Sequence, residues 1–159
     1  MGGRAAAVLV HGLYHRPEHF GPVADGLRAA GLEAVVPELH RGSLAADTAA
    51  VQAAVDAFDR PPLLLGHSYG GSVITGVRGA RHLVGCGRGI PEHHSWKLIP
   101  STYVVCAGDR AIDPALQRTL AARCTAVQEW PTGHSPFVSR PALVVDLVAA
   151  LLGTVSSRT

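Results

Sequence analysis

The sequence predicts an α/β fold: a doubly wound, mainly parallel sheet of six strands with helices on both faces. Two observations lead to this prediction. Short apolar runs without polar alternation recur along the chain, as expected for strands buried on both faces, and segments with helical periodicity separate them. The length of 159 residues, with 47% hydrophobic residues, is sufficient for one core, so we expect a single domain over residues 1–159.

The first half of the chain is predicted to contain two strands and two helices. Pro17 suits the first position of a helix, and Gly31 suits its end. Pro37 stops the short second strand, and Ser43 can cap the second helix. The predicted strands are 5–10 and 34–36, and the predicted helices are 17–30 and 44–59.

The second half is predicted to contain four strands and three helices. Asp113 precedes Pro114 and is interpreted as the cap of a helix, and Pro141 opens the closing helix. The predicted strands are 62–65, 82–86, 102–106 and 125–130, and the predicted helices are 72–77, 114–123 and 141–152.

The sequence GHSYGG at residues 66–71 lies between a predicted strand and a predicted helix. This context indicates a nucleophile elbow, in which Ser68 occupies a tight, strained turn. Side chains at positions 66 and 70 would collide where strand and helix nearly touch, and glycine avoids that clash. Ser68 is therefore the candidate nucleophile.

A serine nucleophile needs a base, and the base needs an acid that orients it. Asp109 follows the strand 102–106 and is the candidate acid, and His134 follows the strand 125–130 and is the candidate base. All three residues fall at carboxyl ends of predicted strands, where an open parallel sheet builds its site. The chain order Ser, Asp, His is typical of one class of serine hydrolases.

An early strand ends in His11-Gly12, and the loop that follows can supply a backbone donor to a developing oxyanion. We expect the Leu13 N–H to be one donor and the Tyr69 N–H, at the start of the elbow helix, to be the second. Together these positions predict an oxyanion hole beside Ser68.

Four segments, VLVHGLYH, GHSYGG, YVVCAGDRAI and PTGHSPF, resemble in order the oxyanion, nucleophile, acid and histidine segments of the α/β-hydrolase superfamily. The resemblance is nearest to its small esterase and hydroxynitrile-lyase-like branch. It implies a serine esterase that cleaves a small ester, lactone or thioester without a metal or organic cofactor. Alternatives within the same fold are a lyase, cyclase or acyltransferase, or a non-catalytic ligand-binding protein. Hydroxynitrile lyases carry lysine after the catalytic histidine, whereas this chain has Ser135.

The sequence departs from that family in lacking its first two antiparallel strands and its helical cap. Only residues 87–101 stand in the cap's place, so the site is expected to be open, with Tyr14 beside the pocket. The expected remnants of a lid are Ile90, Trp96 and Leu98. An exposed apolar floor is normally covered, which predicts either self-association over this face or a bulky acyl substrate. Residues 153–159 are expected to form a flexible tail.

Composition excludes several other classes of function. The net charge is +2 and no Lys/Arg run occurs, so we expect no nucleic-acid partner. The six-residue apolar run near the N-terminus is too short for a signal peptide or membrane span, which predicts a cytoplasmic protein without a membrane partner. The three cysteines lack metal-type spacing and are expected to be buried.

Two histidine signals have a competing interpretation. His15 and His19 match a zinc-protease pattern, but Pro17 places His15 before the helix, so the two side chains do not share a helix face. His67 adjoins the nucleophile, yet its side chain should point away from that of Ser68 and hydrogen-bond or pack below the elbow.

Overall fold

The computed structural model describes residues 3–87 and 98–153 and has the predicted α/β architecture. Its six strands are β1 Ala6–Val10, β2 Glu33–Val35, β3 Leu63–His67, β4 His82–Cys86, β5 Ser101–Cys106 and β6 Ala126–Trp130. Its α-helices are α1 Gly21–Ala29, α2 Leu44–Asp56, α3 Tyr69–Thr75, α4 Pro114–Ala121, α5 Pro136–Ser139 and α6 Pro141–Leu151, and a 3₁₀-helix spans Pro17–Phe20. None of the described helices is long and apolar enough to cross a membrane.

All six strands are parallel, in the order β2-β1-β3-β4-β5-β6. The chain leaves β1 toward one edge of the sheet to form β2, then returns to place β3 on the other side of β1. This reversal opens a crevice at the carboxyl ends of β1 and β3, which is where ligands bind in open parallel sheets. Gly12 and Ser68 lie at that crevice.

Alternate strand residues bury two separate apolar layers. One layer joins Leu9, Leu65 and Val104 to α1 and α6. The other joins Val10 and Leu64 to α2 and α3, and a smaller cluster packs β5 against α4. The strands are thus covered on both faces, which explains their continuous apolar sequences.

The structure differs from the sequence prediction at a few boundaries. The predicted helix 17–30 is divided into the 3₁₀-helix and α1, with Pro22 at the start of α1. Helix α5 was not predicted, since Pro136–Ser139 is only four residues long. Most of the proposed cap remnant 87–101, and all but Gly153 of the proposed tail, lie outside the described residues.

Two glycines of the GHSYGG segment are required by close backbone approach. A Cβ on Gly66 would lie 2.5 Å from the carbonyl oxygen of Gly70, so strand and helix meet there as predicted. A Cβ on Gly70 would overlap the carbonyl oxygen of Val10. The missing side chain of Gly70 thus faces β1, and not β3, the strand that leads into Ser68. These backbones cannot move aside easily, since Gly66 and Val10 belong to the central strands β3 and β1, and Gly70 belongs to the first turn of α3.

We predict that Gly70→Ala lowers the free energy of unfolding by about 3 kcal/mol or more, because the new methyl group must displace β1 or α3. Urea denaturation monitored by circular dichroism measures the change. Gly21→Ala is the matched control, since a Cβ there meets nothing within 4 Å, and it should leave stability within about 0.5 kcal/mol. Equal stability of the two variants would contradict the packing argument.

Candidate functional site

Ser68 has a strained backbone at the junction of β3 and α3. Its φ is +52° and its ψ is −119°, a conformation that residues other than glycine rarely adopt. Its N–H donates to the carbonyl of Cys86, 2.9 Å away, which fixes the turn to the end of β4. The Ser68 side chain thus lies at the carboxyl edge of the sheet, over the crevice.

Asp109 and His134 form a hydrogen-bonded pair at the same edge. The Nδ1 of His134 lies 2.7 Å from Oδ2 of Asp109, whose side chain is fully buried. An ionised carboxylate only accepts, so Nδ1 carries the proton and Nε2 is left as the basic nitrogen. Burial raises the pKa of Asp109, but hydrogen bonds from the Ile112 N–H, from His134 and from the Ala111 N–H outweigh it, and the pKa lies below its ordinary value.

The His134 segment is joined directly to the elbow. The Nε2–H of His67, the residue before Ser68, donates to the His134 carbonyl, and the two rings stand edge to face with centroids 4.7 Å apart. Gly87 supports the other side of the ring: a Cβ there would lie 3.0 Å from Cε1 and Nδ1 of His134. His67 therefore hydrogen-bonds below the elbow, as the sequence analysis anticipated.

The Oγ of Ser68 forms no hydrogen bond with any residue that the structure describes. No direct hydrogen bond therefore joins Ser68 to His134 among the described residues. The two segments are connected by the hydrogen bond from the His67 ring to the His134 carbonyl. Catalytic hydrogen bonds are often long or poorly aligned in the absence of substrate.

The predicted oxyanion loop packs against the elbow. A Cβ on Gly12 would lie 3.1 Å from Nδ1 of His67 and 3.3 Å from Cβ of Ser68, so any larger residue would crowd the elbow. Within the described residues, neither the Leu13 N–H nor the Tyr69 N–H has an acceptor. Leu13 and Tyr69 line one cavity of about 320 Å³.

That cavity contains two further features that the sequence analysis missed. Asp47, buried in the first turn of α2, accepts a hydrogen bond from the Tyr69 hydroxyl at 2.7 Å and thereby ties the start of α3 to α2. His40 has a φ of +67° and also lines the cavity. A larger cavity of about 910 Å³ lies between α2 and the end of α3 and is lined by neither Ser68 nor His134.

Gln117 and Gly87 are also part of the site and were not predicted. Gln117 is 0% exposed, and its Nε2 donates to Oδ2 of Asp109 at 2.8 Å. In the sequence it looks like an ordinary polar residue of a surface helix, although its spacing from Leu120 and Ala121 places it on the buried face of α4. Gly87 follows a strand directly and has a φ of +56°, which is a weak signal without a structure.

The remaining predicted residues are placed as follows. Tyr14 is 96% exposed, and Ile90 and Trp96 lie outside the described residues. Leu98 is exposed and lines the larger cavity beside α2 rather than the cavity at Leu13 and Tyr69. Asp113 caps α4 by accepting the Ala115 N–H at 2.8 Å, as predicted, and does not contact His134.

The histidines of the zinc-like pattern contact each other and the elbow. The ring centroids of His15 and His19 are 5.1 Å apart, and His15 also contacts the ring of His67. No group of three or more His, Cys, Asp or Glu side chains within residues 3–87 and 98–153 is arranged to hold a metal ion.

Comparison with known proteins agrees with this architecture. The model of the Alpha/beta hydrolase family matches residues 7–91 and 77–147. The protein named Alpha/beta hydrolase nvfD, from Aspergillus novofumigatus, is 33% identical over 64 residues, which are 38% of this chain and 26% of the fungal protein. The match thus spans about a quarter of that relative's length.

Two solved structures have the same fold. A pyrethroid hydrolase from Sphingobium faniae JZ-2 aligns with a TM-score of 0.78 at 16% identity, over 94% of this chain and 97% of that chain. A polyneuridine aldehyde esterase aligns with a TM-score of 0.81 at 13% identity, over 94% of this chain and 99% of that chain. At these identities the likeness shows the fold alone.

The buried His67 generates a prediction about stability and pH. Burial lowers its pKa from 6.5 to about 3, although the hydrogen bond to the His134 carbonyl partly opposes this. Between these two pH values the unfolded chain binds a proton that the folded protein excludes. The free energy of unfolding should therefore fall with decreasing pH, with His67 contributing up to about 1.4 kcal/mol per pH unit.

This pH dependence is tested by urea unfolding of the wild type and of His67→Gln, measured at several pH values between 7.5 and 4. Gln can still donate to the His134 carbonyl but does not titrate, so its stability should depend less steeply on pH. Other acid-sensitive groups, Asp109 included, contribute equally to both proteins. Identical slopes would show that folding does not lower the pKa of His67.

Proposed function

Because the chain belongs to the Alpha/beta hydrolase family, we propose that it is a serine esterase. Its substrate is a small carboxylic ester, lactone or thioester, and its intermediate is an acyl group on Ser68. The family and the shared fold support a hydrolase; the residues of the site support the serine mechanism. An esterase and a pyrethroid hydrolase are among the proteins of the same fold.

One observation carries the proposal. His134 is held by a buried carboxylate through Nδ1, and its own carbonyl is held by the residue next to a strained, glycine-flanked serine. A histidine that served only in packing would not need a buried Asp109 as partner, and a buried carboxylate is unfavourable unless it is hydrogen-bonded. These contacts support the proposal that Ser68, His134 and Asp109 serve as nucleophile, base and orienting acid.

In the acylation step Ser68 Oγ attacks the carbonyl carbon of the substrate while Nε2 of His134 takes the hydroxyl proton. Asp109 accepts from Nδ1–H throughout and stabilises the imidazolium. The tetrahedral intermediate collapses when the bond to the leaving alcohol or thiol breaks, and Nε2 returns the proton to that group. The acyl group remains on Ser68.

In the deacylation step His134 removes a proton from water, and the resulting hydroxide attacks the acyl carbon. Collapse of the second tetrahedral intermediate breaks the bond to Oγ, and Ser68 recovers its proton from Nε2. The products are a carboxylic acid and the alcohol or thiol released earlier. Every step uses groups of this chain and water, so the mechanism needs no metal or organic cofactor.

The Leu13 and Tyr69 N–H groups are the proposed oxyanion donors. Both lack an acceptor among the described residues, and both residues line the same cavity. Tyr69 is also the first residue of α3, where the helix dipole favours negative charge. Loss of one such donor typically costs about 10²–10³ in rate.

The buried thiols of Cys86 and Cys106 are not competing nucleophiles. Burial raises the pKa of Cys86 well above its ordinary value, with smaller contributions from Cys106 and Asp109. Burial likewise raises the pKa of Cys106. Neither thiol is ionised at neutral pH, and thiols react as thiolates.

We predict that Ser68→Ala lowers kcat by about 10⁶ and abolishes labelling by a fluorophosphonate, which reacts by forming a Ser68 Oγ–P bond and releasing fluoride. Mass spectrometry of the labelled peptide and hydrolysis of p-nitrophenyl esters of increasing acyl length measure both effects. The same ester series identifies the preferred chain length. Labelling or near wild-type hydrolysis in Ser68→Ala would rule out the proposed nucleophile.

We predict that Asp109→Asn lowers kcat by about 10⁴, because an amide at this position favours the wrong imidazole tautomer. Asp113→Asn is the matched control on the same loop. It alters only the cap of α4, so it should change stability by about 1 kcal/mol or less and leave kcat near the wild-type value. The reverse ranking of the two variants would assign the acid to Asp113.

A further inference from the structure

Gln117 is a fully buried polar side chain whose entire amide is hydrogen-bonded. Its Oε1 accepts the Cys106 N–H at 2.9 Å. Its Nε2 donates to Oδ2 of Asp109 at 2.8 Å and to the Ile112 carbonyl at 2.9 Å. Because the oxygen faces a donor and the nitrogen faces two acceptors, the chemistry of the partners fixes the orientation of the amide.

These bonds connect three parts of the Asp109 loop. Cys106 ends β5, Ile112 lies before α4, and Asp109 lies between them. A buried amide is unfavourable unless its groups are paired, so the complete pairing of Gln117 stabilises one loop conformation. Gln117 thus fixes both the loop and the carboxylate that the loop carries.

The Asp109 carboxylate has a donor for each of its acceptor positions. Oδ1 accepts the N–H groups of Ala111 and Ile112, at 2.7 and 3.0 Å. Oδ2 accepts from His134 Nδ1 at 2.7 Å and from Gln117. Rotation about the Cβ–Cγ bond of aspartate has broad minima, so the four donors, rather than an intrinsic torsional preference, hold Oδ2 toward His134.

We propose that Gln117 is the positioning residue of the esterase site, which holds Oδ2 of Asp109 in the orientation that accepts from His134. This inference rests on the proposed function and extends it to helix α4. Without Gln117 the loop N–H groups still hold Oδ1, but no group other than His134 itself holds Oδ2 among the described residues. The carboxylate then rotates more freely, and His134 loses its fixed tautomer and direction.

Gln117→Met tests the proposal because it keeps the length and apolar volume of the side chain and removes every hydrogen bond. We expect kcat to fall about 10²-fold with KM unchanged, the scale that a small misplacement of a reacting group produces. Gln52→Met is the matched control. The Gln52 amide also bonds to backbone groups, the N–H and carbonyl of Arg78, but on α2 and away from Asp109. Its kcat should equal that of the wild type.

A double-mutant cycle separates positioning from general damage. If Gln117 acts through Asp109, Gln117→Met should have no further effect on kcat in the Asp109→Asn background. A 10²-fold loss in both backgrounds would overturn the proposal, and so would wild-type kcat in folded Gln117→Met. Thermal unfolding of each variant verifies that every protein whose kcat is compared is folded.

Gln117→Glu gives a pH signature that lost packing cannot give. A protonated carboxyl group at this position would donate to Oδ2 as the amide does, whereas an ionised one would repel Asp109. We expect the kcat profile of this variant to be displaced toward acid, with activity lost as pH rises. An unchanged profile would overturn the proposal, and this variant serves also if Gln117→Met does not fold.

One measurement does not depend on catalysis. The proton between His134 Nδ1 and Asp109 should give a downfield proton resonance, which Ser68→Ala retains and Gln117→Met broadens or loses. Absence of esterase activity together with this pattern would overturn the proposed function and leave the positioning role standing. The resonance retained unchanged in Gln117→Met would overturn the positioning role alone.

Discussion

The approach of Gly70 to the backbone of Val10 is the contact on which the rest of the site depends. It lets α3 begin immediately beside β1, at the reversal of strand order. Ser68 must then turn within one residue, and its φ of +52° is the consequence. The same closeness brings Gly12 against the Ser68 side chain, so the proposed nucleophile and oxyanion loop are positioned by one contact between a glycine of α3 and the central strand β1.

The proposed acid and base reach this centre from the strands on the other side of β3. Asp109 follows β5 and His134 follows β6, and neither belongs to the elbow. Their connection to it passes through β4, whose last residue accepts the Ser68 N–H and whose following residue, Gly87, leaves room for the His134 ring. The hydrogen bond from His67 to the His134 carbonyl is a second connection between the elbow and the His134 segment. Parallel strands make this possible because all their carboxyl ends meet at one edge.

Much of this arrangement could be predicted from sequence because its signals are local. A glycine-flanked serine between strand and helix, a strand followed by Gly-Asp and a strand followed by Gly-His each have a recognisable pattern within a few residues. No such local pattern marks Gln117, Gly87 or Asp47. Their partners, Asp109, His134 and Tyr69, lie 8, 47 and 22 residues away in the sequence. Gln117 in particular resembles a solvated helix residue until the helix is packed against β5. The two-part helix after Pro17 and the four-residue α5 lie below the length at which periodicity distinguishes a helix.

The electrostatics of the histidines follows from the same packing. His67 and His15 contact each other, and burial lowers the pKa of both, which disfavours positive charge on either ring near neutral pH. His134 differs from them in having a carboxylate at hydrogen-bond distance from Nδ1. Because Asp109 is already satisfied by backbone donors and Gln117, it remains ionised in a buried position and can stabilise an imidazolium beside it.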